Sequence, residues 1–460
     1  MKKTLISLAV ASALSTSLFA DAETDVLKQQ LKALMERLDK LEAQDKVYEE
    51  KAAVMQQQNN EIAEKTDSLL EETANLQTGF NFNVVNPDFS HNGMGAAASK
   101  VYTSKSPLSI GGYGEMYYAS KEDADNIGDI YRFVPYIGYR FNENIVLNVE
   151  LEFEHGGAKP DDEEYGYAVI EFMYLDFMLS DAFNVQVGNL LVPMGLINLR
   201  HEPTLFNTVQ RPNVEKYLIP STWNSNGAIA YGSIGESGFT YNAGIIQALD
   251  LNNIDRGRKE QIRSGRSGTG KSTFNNAAFV GRLDYIGMPG LMLGASTYYG
   301  TATQGSVSGA TALMYDVHGT YENSGFKLKA LYTATKIDDA DKIAGATIDG
   351  IPGPDRSTEN ANGYYVNLEY DAIHLISADY KLPIFVQYDY INPTDSVVDS
   401  NGISTVVDTG AESATTTFGV NFFPTEQVVL KMDYAMTDYK DSATTKDDQN
   451  IFSIGLGFIF

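Results

Sequence analysis

Cysteine is absent from the 460 residues of this chain, which excludes a disulfide framework and thiolate metal sites. Basic residues are also few: 34 lysines and arginines face 60 aspartates and glutamates, so the formal net charge is -26. A surface this acidic argues against nucleic acid as a partner. Beyond residue 20, no stretch is apolar and long enough to cross a bilayer as a helix.

The N-terminus has the pattern of a secretory signal peptide. Two lysines follow Met1, and an apolar run of small residues extends from Leu5 to Ala20. The run is too short for a membrane helix, and it ends in the small residues that suit cleavage. We therefore predict that residues 1–20 are removed after export, with cleavage after Ala20 or after Ala22.

A long segment without glycine or proline follows, from Glu23 to Thr78. Apolar residues recur there every seven positions, and one seam is apolar at each step: Leu27, Leu34, Leu41, Tyr48, Met55, Ile62, Leu69 and Leu76. This repeat predicts an α-helical coiled coil over residues 23–78, about 80 Å long. A second seam becomes polar after Leu38, so a single solvated helix, or disorder, after Leu41 is the alternative. The stretch 79–106, rich in Gly, Asn and Ser, is predicted to be a linker.

After Pro107 the apolar residues recur at every second position, which is typical of half-buried β-strands. Residues 145–154 show this most clearly, with Ile145, Leu147 and Val149 on one face and glutamates on the other. Sixteen such segments follow one another: 109–120, 130–142, 145–156, 165–179, 183–194, 226–235, 239–250, 275–287, 291–300, 312–322, 326–337, 362–373, 382–392, 412–423, 427–438 and 448–460. Each is about long enough to cross a bilayer as a tilted strand.

The connections between these segments alternate in length. Tight turns such as Asn142–Asn144 and Pro424–Glu426 alternate with long polar loops such as 251–274 and 338–361. This asymmetry is typical of an up-and-down barrel in an outer membrane. We therefore predict an all-β, 16-stranded antiparallel transmembrane barrel over residues 107–460, with both ends and the coiled coil on the periplasmic side. A soluble β-domain is the alternative.

Two parts of the barrel sequence carry a resemblance to known proteins. The last strand resembles the terminal strand of outer-membrane proteins, because its apolar residues alternate up to the aromatic Phe460. The barrel as a whole resembles the phosphate-selective porin family, the porins O and P. The leading coiled coil is also similar to that family, and the most specific segments are Val187–Gly195, Arg200–Pro203, Arg211–Pro212 and Ile219–Gly227.

The resemblance implies a trimer of sixteen-stranded barrels whose third long loop folds inward and narrows the pore. That loop corresponds to Leu196–Ser225 here. Its candidate constriction residues are Arg200, His201, Glu202, Arg211, Glu215 and Lys216. An ordinary external loop with scattered charges is the alternative.

Alternation along the strands predicts which charged residues line the pore. The candidates are Glu115, Arg132, Arg140, Glu150, Glu152, Glu154, Arg282, Lys327, Lys329, Glu369, Asp389, Lys431 and Asp433, with Asp284 as a further acid. Phosphate preference in the family relies on basic residues stacked along the wall, whereas this wall is mixed. Because rings of one sign select against the other sign, a mixed wall predicts weak selectivity or a modest cation preference. A phosphate- or anion-selective channel is an alternative.

Basic residues gather in one outer loop of this otherwise acidic chain. They are Arg256, Arg258, Lys259, Arg263, Arg266 and Lys271. Either the loop is simply solvated, or it collects anions at the mouth of the pore. Within it, Gly265–Ser272 matches the phosphate-binding loop pattern, but a strand-like segment follows instead of the helix that nucleotide binding needs.

Catalysis has little support in the sequence. The five histidines lie on different segments without metal-ligand spacing, and no nucleophile elbow occurs. We therefore predict no enzyme activity, no metal site and no cofactor.

The predicted function is that of a porin, a water-filled channel of the cell outer membrane for passive diffusion of small solutes or ions. The predicted partners are outer-membrane lipid, lipopolysaccharide, the permeating solutes and further copies of the chain in a homotrimer. A structural tether that reaches the cell wall through the coiled coil is the alternative function.

Overall fold

The structure, a computed structural model, describes residues 23–80, 85–122, 124–157, 166–252, 260–268, 270–348, 351–352, 356–376, 379–405, 411–440 and 449–460. The predicted signal peptide, residues 1–20, lies outside this range. The chain divides into two compact units, Met1–Phe80 and Asn81–Phe460, and each is described by itself.

The described part of the first unit is one uninterrupted helix, α1 (Glu23–Phe80), which confirms the helix predicted over 23–78. Its heptad stripe has no cover in the single chain: Leu34, Met55 and Ile62 expose between 61 and 67% of their surface. A lone helix cannot bury such a stripe by itself. No helix among the described residues is long and apolar enough to span a membrane.

Sixteen antiparallel strands form the barrel of the second unit. They are β1 (Leu108–Lys121), β2 (Ile127–Asn142), β3 (Ile145–Glu154), β4 (Ala168–Met178), β5 (Asn184–Leu191), β6 (Asn224–Ser233), β7 (Phe239–Gln247), β8 (Ala277–Met288), β9 (Leu291–Thr301), β10 (Thr311–Asn323), β11 (Phe326–Asp338), β12 (Arg356–Asp371), β13 (Pro383–Asp399), β14 (Ser413–Thr425), β15 (Val428–Tyr439) and β16 (Gln449–Ile459). Consecutive strands pair, and β1 pairs with β16 from Tyr113–Ile459 to Lys121–Ile451. The ring is therefore closed, which confirms the predicted barrel and leaves the ring no open edge in lipid.

Short strands also occur outside the ring. Ser404–Thr405 pairs with the end of β13, and Thr347–Ile348 pairs with Ile351–Pro352. These hairpins extend the loops beyond the wall and leave the order of the sixteen strands unchanged.

The connections alternate in length as predicted. Two-residue turns join β2 to β3 at 143–144, β8 to β9 at 289–290 and β14 to β15 at 426–427. The connection 372–382 is a longer exception on the same side. Loops join the opposite ends of the strands, and the longest of them, residues 192–223 between β5 and β6, is called L3 below.

Side chains alternate across the wall. On β3, Asn148, Glu150 and Glu152 are buried on the inside, whereas Phe153 is exposed on the outside. Large apolar residues such as Val317 are exposed on the outer face, as a surface in contact with lipid requires. The inner face is polar and is covered by L3 and by the segment that precedes β1.

Part of the predicted linker, 79–106, folds against the inside of the wall. Helix α2 (Ala96–Thr103) is buried along most of its length. The side-chain amide of Asn148 donates a hydrogen bond to a carbonyl of this helix at 2.9 Å. A Cβ atom on Gly138 would lie 2.4 Å from Val101, so glycine permits this close approach. Residues 96–103 of the expected linker are therefore an ordered helix that packs beside β1–β3.

Candidate pore constriction

L3 leaves the barrel wall, the ring of sixteen strands, after Leu191 and returns to it at Asn224. The side chain of Asn198 joins the two ends of the loop. The amide nitrogen of Asn198 donates to the carbonyls of Val192 at 2.7 Å and Trp223 at 2.8 Å. The amide oxygen of Asn198 accepts from the N–H of Trp223 at 2.8 Å. These three bonds hold both ends of the loop together. The chain between the two ends crosses the inside of the barrel.

Glu215 organises the interior of L3. Its carboxylate accepts hydrogen bonds from the N–H groups of Leu196 at 2.8 Å and Ile197 at 2.6 Å. It also accepts from the hydroxyl of Tyr365 on β12 at 2.7 Å. Burial raises the pKa of Glu215 to about 7, because removal from water disfavours the charged carboxylate. This predicted constriction residue therefore joins the loop to the wall.

Two charged residues of β15 hold the middle of L3. The ammonium of Lys431 donates to the carbonyls of Phe206 at 2.7 Å and Thr208 at 3.1 Å. The carboxylate of Asp433 accepts from the N–H of Val209 at 2.6 Å. Hydrogen bonds to charged groups are among the stronger ones in proteins, so these contacts fix the loop against this side of the wall.

Four more of the predicted pore-lining residues bind L3 in the same way. Lys329 donates to the carbonyl of Leu205, and Arg282 donates to the carbonyl of Gly195. Glu369 accepts from the side-chain amide of Asn207, and Asp389 accepts from the N–H of Asn213. Alternation thus placed these residues on the inner face, and the loop that folds inside uses them as anchors.

Another group of predicted residues forms an ion-pair cluster beside β1–β3. The guanidinium of Arg132 lies 3.1 Å from Glu115, 3.2 Å from Glu154 and 3.9 Å from Glu152. Arg132 itself is buried. Pairing lets these charges remain inside the barrel, because an unpaired buried charge would be strongly destabilising.

Two further predicted pore-lining residues, Arg140 and Lys327, lie towards the short-turn end. Arg140 donates to the carbonyls of Val101 at 3.1 Å and Tyr102 at 2.7 Å, and so holds α2. Lys327 forms a partly exposed ion pair with Glu322 at 2.9 Å.

A cavity of 340 Å³ lies between L3 and one side of the wall. The L3 residues Arg211 and Lys216 border it, and β1 contributes Lys121. Strands β13–β16 contribute Asp389, Asp433 and uncharged hydroxyl and amide side chains. The cavity therefore has a polar lining with charges of both signs.

The six candidate L3 residues have different environments. Arg211 and Lys216 border the cavity, Arg200 is exposed, and His201 and Glu202 are buried. Burial raises the pKa of Glu202 above its ordinary value. Arg211 also donates to the carbonyl of His201 at 3.0 Å. The loop therefore supplies both cavity-facing bases and buried groups that hold its shape.

The basic outer loop is described in part. Arg256, Arg258 and Lys259 lie outside the described residues. Arg263 donates to the carbonyl of Lys216 at 2.9 Å, and Arg266 donates to that of Ser221 at 2.8 Å. Lys271 is exposed. Two of the described bases, Arg263 and Arg266, thus bind the backbone of L3.

The segment that matches the phosphate-binding loop pattern, 265–272, has a strand after it. The four-residue helix Gln261–Ser264 precedes it, and β8 begins at Ala277. A phosphate-binding loop needs its amides at the start of a following helix, and the strand β8 occupies that place.

Sequence reasoning missed Glu171 of β4. The pairing of β3 with β4 shifts between Glu150 and Leu151, and Glu171 and Phe172 are consecutive buried residues. Such a β-bulge turns one extra side chain inward, which strict alternation cannot reveal. Glu171 meets Glu150 and His201 there, with ligand atoms of all three within 4.8 Å of one another. Burial lowers the pKa of His201 below its ordinary value.

Two inward aspartates were also missed, although the same alternation along their strands indicates them. Asp316 of β10 lies 2.6 Å from His318 and accepts from the N–H of Gly195 in L3 at 3.1 Å. Asp176 of β4 accepts from the hydroxyl of Tyr102 at 2.7 Å. Both connect the wall to the chain folded inside it.

Comparison with known proteins agrees with this architecture. Residues 136–460 match the family described as phosphate-selective porin O and P. An uncharacterized protein of Aquifex aeolicus (strain VF5) is 32% identical over 380 residues, which cover 80% of this chain and 83% of that protein.

Solved structures with a similar fold include Salmonella typhi OmpF in complex with daunomycin, with a TM-score of 0.51 at 12% identity over 77% of this chain and 97% of that chain. An anion-selective porin from Comamonas acidovorans has a TM-score of 0.47 at 14% identity over 77% of this chain and 99% of that chain. The likeness to OmpF extends to the fold. With the family match, the closed barrel identifies an outer-membrane channel. The chain belongs to the phosphate-selective porin O and P family.

Proposed function

We propose that the protein is a weakly ion-selective porin in which small solutes and ions diffuse passively past L3. The observation that supports this most directly is the polar cavity of 340 Å³ between L3 and strands β1 and β13–β16. A barrel of sixteen strands is too wide for its own side chains to fill. L3 covers much of the inner face, and the cavity is the space beside it.

The charges around the cavity support weak selectivity. Lys121, Arg211 and Lys216 face Asp389 and Asp433 across it. Each of the two carboxylates accepts a backbone N–H of L3 at 2.6 Å, which offsets part of its negative charge. Selectivity filters use rings of one sign, whereas these bases and acids are nearly balanced. The small excess of bases supports an anion- or phosphate-selective channel as the second candidate.

Current measurements across a planar bilayer test the proposal. The purified mature protein should give stepwise currents, and under a KCl gradient its reversal potential should be close to zero. Arg211→Gln should shift that potential towards cation preference, and Asp389→Asn should shift it towards anion preference. Glu143→Gln, in an exposed turn, is the matched control. An absence of current steps would reject the porin, and a strongly anion-selective wild type would favour the second candidate.

The basic outer loop is proposed to concentrate anions at the channel mouth. The charge of Lys271 is exposed, whereas Arg263 and Arg266 hold L3. The informative variant therefore spares those two arginines and neutralises Arg256, Arg258, Lys259 and Lys271. Anion current should fall while cation current persists. Equal loss of both currents, or no change, would reject the patch.

The N-terminal parts of the chain carry three further proposals. Residues 1–20 are proposed to be the export signal, and α1 is proposed to lie in the periplasm and to join three copies through its exposed stripe. The support is the uncovered stripe of Leu34, Met55 and Ile62, since coiled-coil pairing would bury it. A tether to the cell wall through the same helix is the competing role.

A further inference from the structure

A buried carboxylate and a buried imidazole face each other where L3 meets the wall. The Oε1 atom of Glu150 on β3 lies 3.1 Å from the Nε2 atom of His201 in L3. Glu171, on the bulge of β4, brings a second carboxylate to the same place. The three residues are 0, 2 and 2% exposed in the order Glu150, His201 and Glu171. Water therefore does little to screen these groups from one another.

The other side of the imidazole determines which atom faces the carboxylates. The Nδ1 atom of His201 lies 2.8 Å from the carbonyl oxygen of Asn198. A carbonyl accepts but never donates, so Nδ1 carries a proton and the neutral ring presents its Nε2 lone pair to Glu150. A histidine that donates one ring N–H to a backbone carbonyl and offers the other nitrogen is the usual arrangement of a metal ligand.

The carboxylates lack donors among the residues that the structure describes. Neither oxygen of Glu171 meets a hydrogen-bond donor, and the Oε2 atom of Glu150 meets none. The contacts of the nearby arginines are with other groups: Arg132 pairs with Glu115, and Arg211 donates to a backbone carbonyl. Buried carboxylate oxygens without a donor are costly, so a cation or a shared proton at this place would stabilise the cluster.

The β-bulge is the device that assembles the cluster. A regular strand would alternate inward and outward, and Phe172 already points inward. The extra residue turns Glu171 inward as well, towards Glu150 on the adjacent strand. Bulges that re-aim a side chain are frequent at functional sites.

We propose that Glu150, Glu171 and His201 bind a divalent transition-metal cation that joins L3 to strands β3 and β4. One imidazole nitrogen and two carboxylates are ligands that suit Zn²⁺, and three protein ligands leave a position for water. The ion's two positive charges would balance the two carboxylates. Mg²⁺ prefers octahedral oxygen coordination and retains its waters, so it would bind this set less well.

Calorimetric titration of the mature protein with Zn²⁺ tests the site, after treatment of the detergent-solubilised protein with a chelator. The wild type should bind one Zn²⁺ per protomer. Glu171→Gln and His201→Ala should each weaken that binding by at least about tenfold. Glu154→Gln removes another inward carboxylate of β3, and this control variant should still bind Zn²⁺ as the wild type does. Saturating Zn²⁺ should raise the unfolding temperature of the wild type and of Glu154→Gln, but not that of Glu171→Gln.

Three results would overturn the site. The first is no saturable Zn²⁺ binding, as expected if Glu150 and Glu171 share a proton instead. The second is equal binding by all variants, which would indicate adventitious surface binding, and the third is Mg²⁺ binding as tight as Zn²⁺ binding. Glu171→Gln is nearly isosteric, so it decides the matter even if His201→Ala fails to fold, with strand content checked by circular dichroism. Because these readouts need no ion current, failure of the porin proposal would leave them intact.

Discussion

The Oε1 atom of Glu202 in L3 accepts a hydrogen bond from the backbone N–H of Ala97 in α2 at 3.0 Å. The same oxygen accepts from the N–H of Ala98, also at 3.0 Å. The first N–H groups of a helix have no partner within it, and a negative charge beside them is favourable. A residue of L3 thus caps a helix whose capped N–H group lies 105 positions earlier in the chain.

Replacement of Glu202 should loosen α2 inside the barrel. Glu202→Ala removes both hydrogen bonds and the charge at the helix start, which we expect to cost about 1–2 kcal/mol of stability. The unfolding temperature should fall, and single-channel current should become larger or noisier as α2 moves. Glu143→Ala, on an exposed turn, should change neither quantity. A Glu202→Ala protein with wild-type stability and current would show that the cap is dispensable.

Lys431 should control how rigidly L3 is held. Lys431→Met keeps most of the side-chain volume but leaves the carbonyls of Phe206 and Thr208 without their donor, at an expected cost of about 1–3 kcal/mol. Open-channel current fluctuations should increase. Lys327→Met, which removes an inward lysine that does not bind L3, is the comparison. Equal fluctuations in both variants would argue against a role for Lys431 in holding the loop.

Glu215 should make stability depend on pH. Its pKa is about 7 in the folded protein and 4.5 as the ordinary value, so the folded state binds the proton more tightly. Protonated Glu215 therefore adds to the free energy of unfolding. This stabilisation is fully present below pH 4.5, and about 3 kcal/mol of it is lost as the pH rises to 7. The wild-type unfolding temperature should therefore fall across that window more steeply than that of Glu215→Gln. Parallel curves for the two proteins would contradict the assignment.

Removal of residues 23–78 should separate assembly from conduction. Because α1 carries the exposed heptad stripe, the truncated protein should form weaker oligomers in detergent, measured by light scattering. Its single-channel current should match that of the full-length protein, since the barrel closes without α1. In cells, unchanged envelope spacing would speak against the tether. Oligomers of undiminished stability would show that the barrel alone holds the copies together.

The polar alternation of single strands was sufficient to predict the barrel, and the heptads were sufficient to predict α1. Both rest on local periodicity, which a linear sequence displays directly. Alternation also placed Lys431 and Asp433 on the inner face. It could not show that L3 would bind them, because their partners lie more than 200 positions away.

The linker expected over 79–106 illustrates a second limit. Gly, Asn and Ser are typical of flexible segments, yet residues 96–103 of this stretch form α2, and Gly138 of β2 leaves room for Val101 of that helix. Composition describes what a segment tolerates, whereas the shape of the space that receives it decides whether it becomes ordered.

The sequence by itself determined a closed, antiparallel, outward-apolar barrel preceded by a long helix, because the periods of two and seven residues are local properties of the chain. Only the tertiary structure decided what occupies the lumen. Strand register and contacts between distant segments decide three features, and no local pattern encodes them. These are the β-bulge at Glu171, the closure of the ends of L3 by Asn198, and the contact between His201 and Glu150.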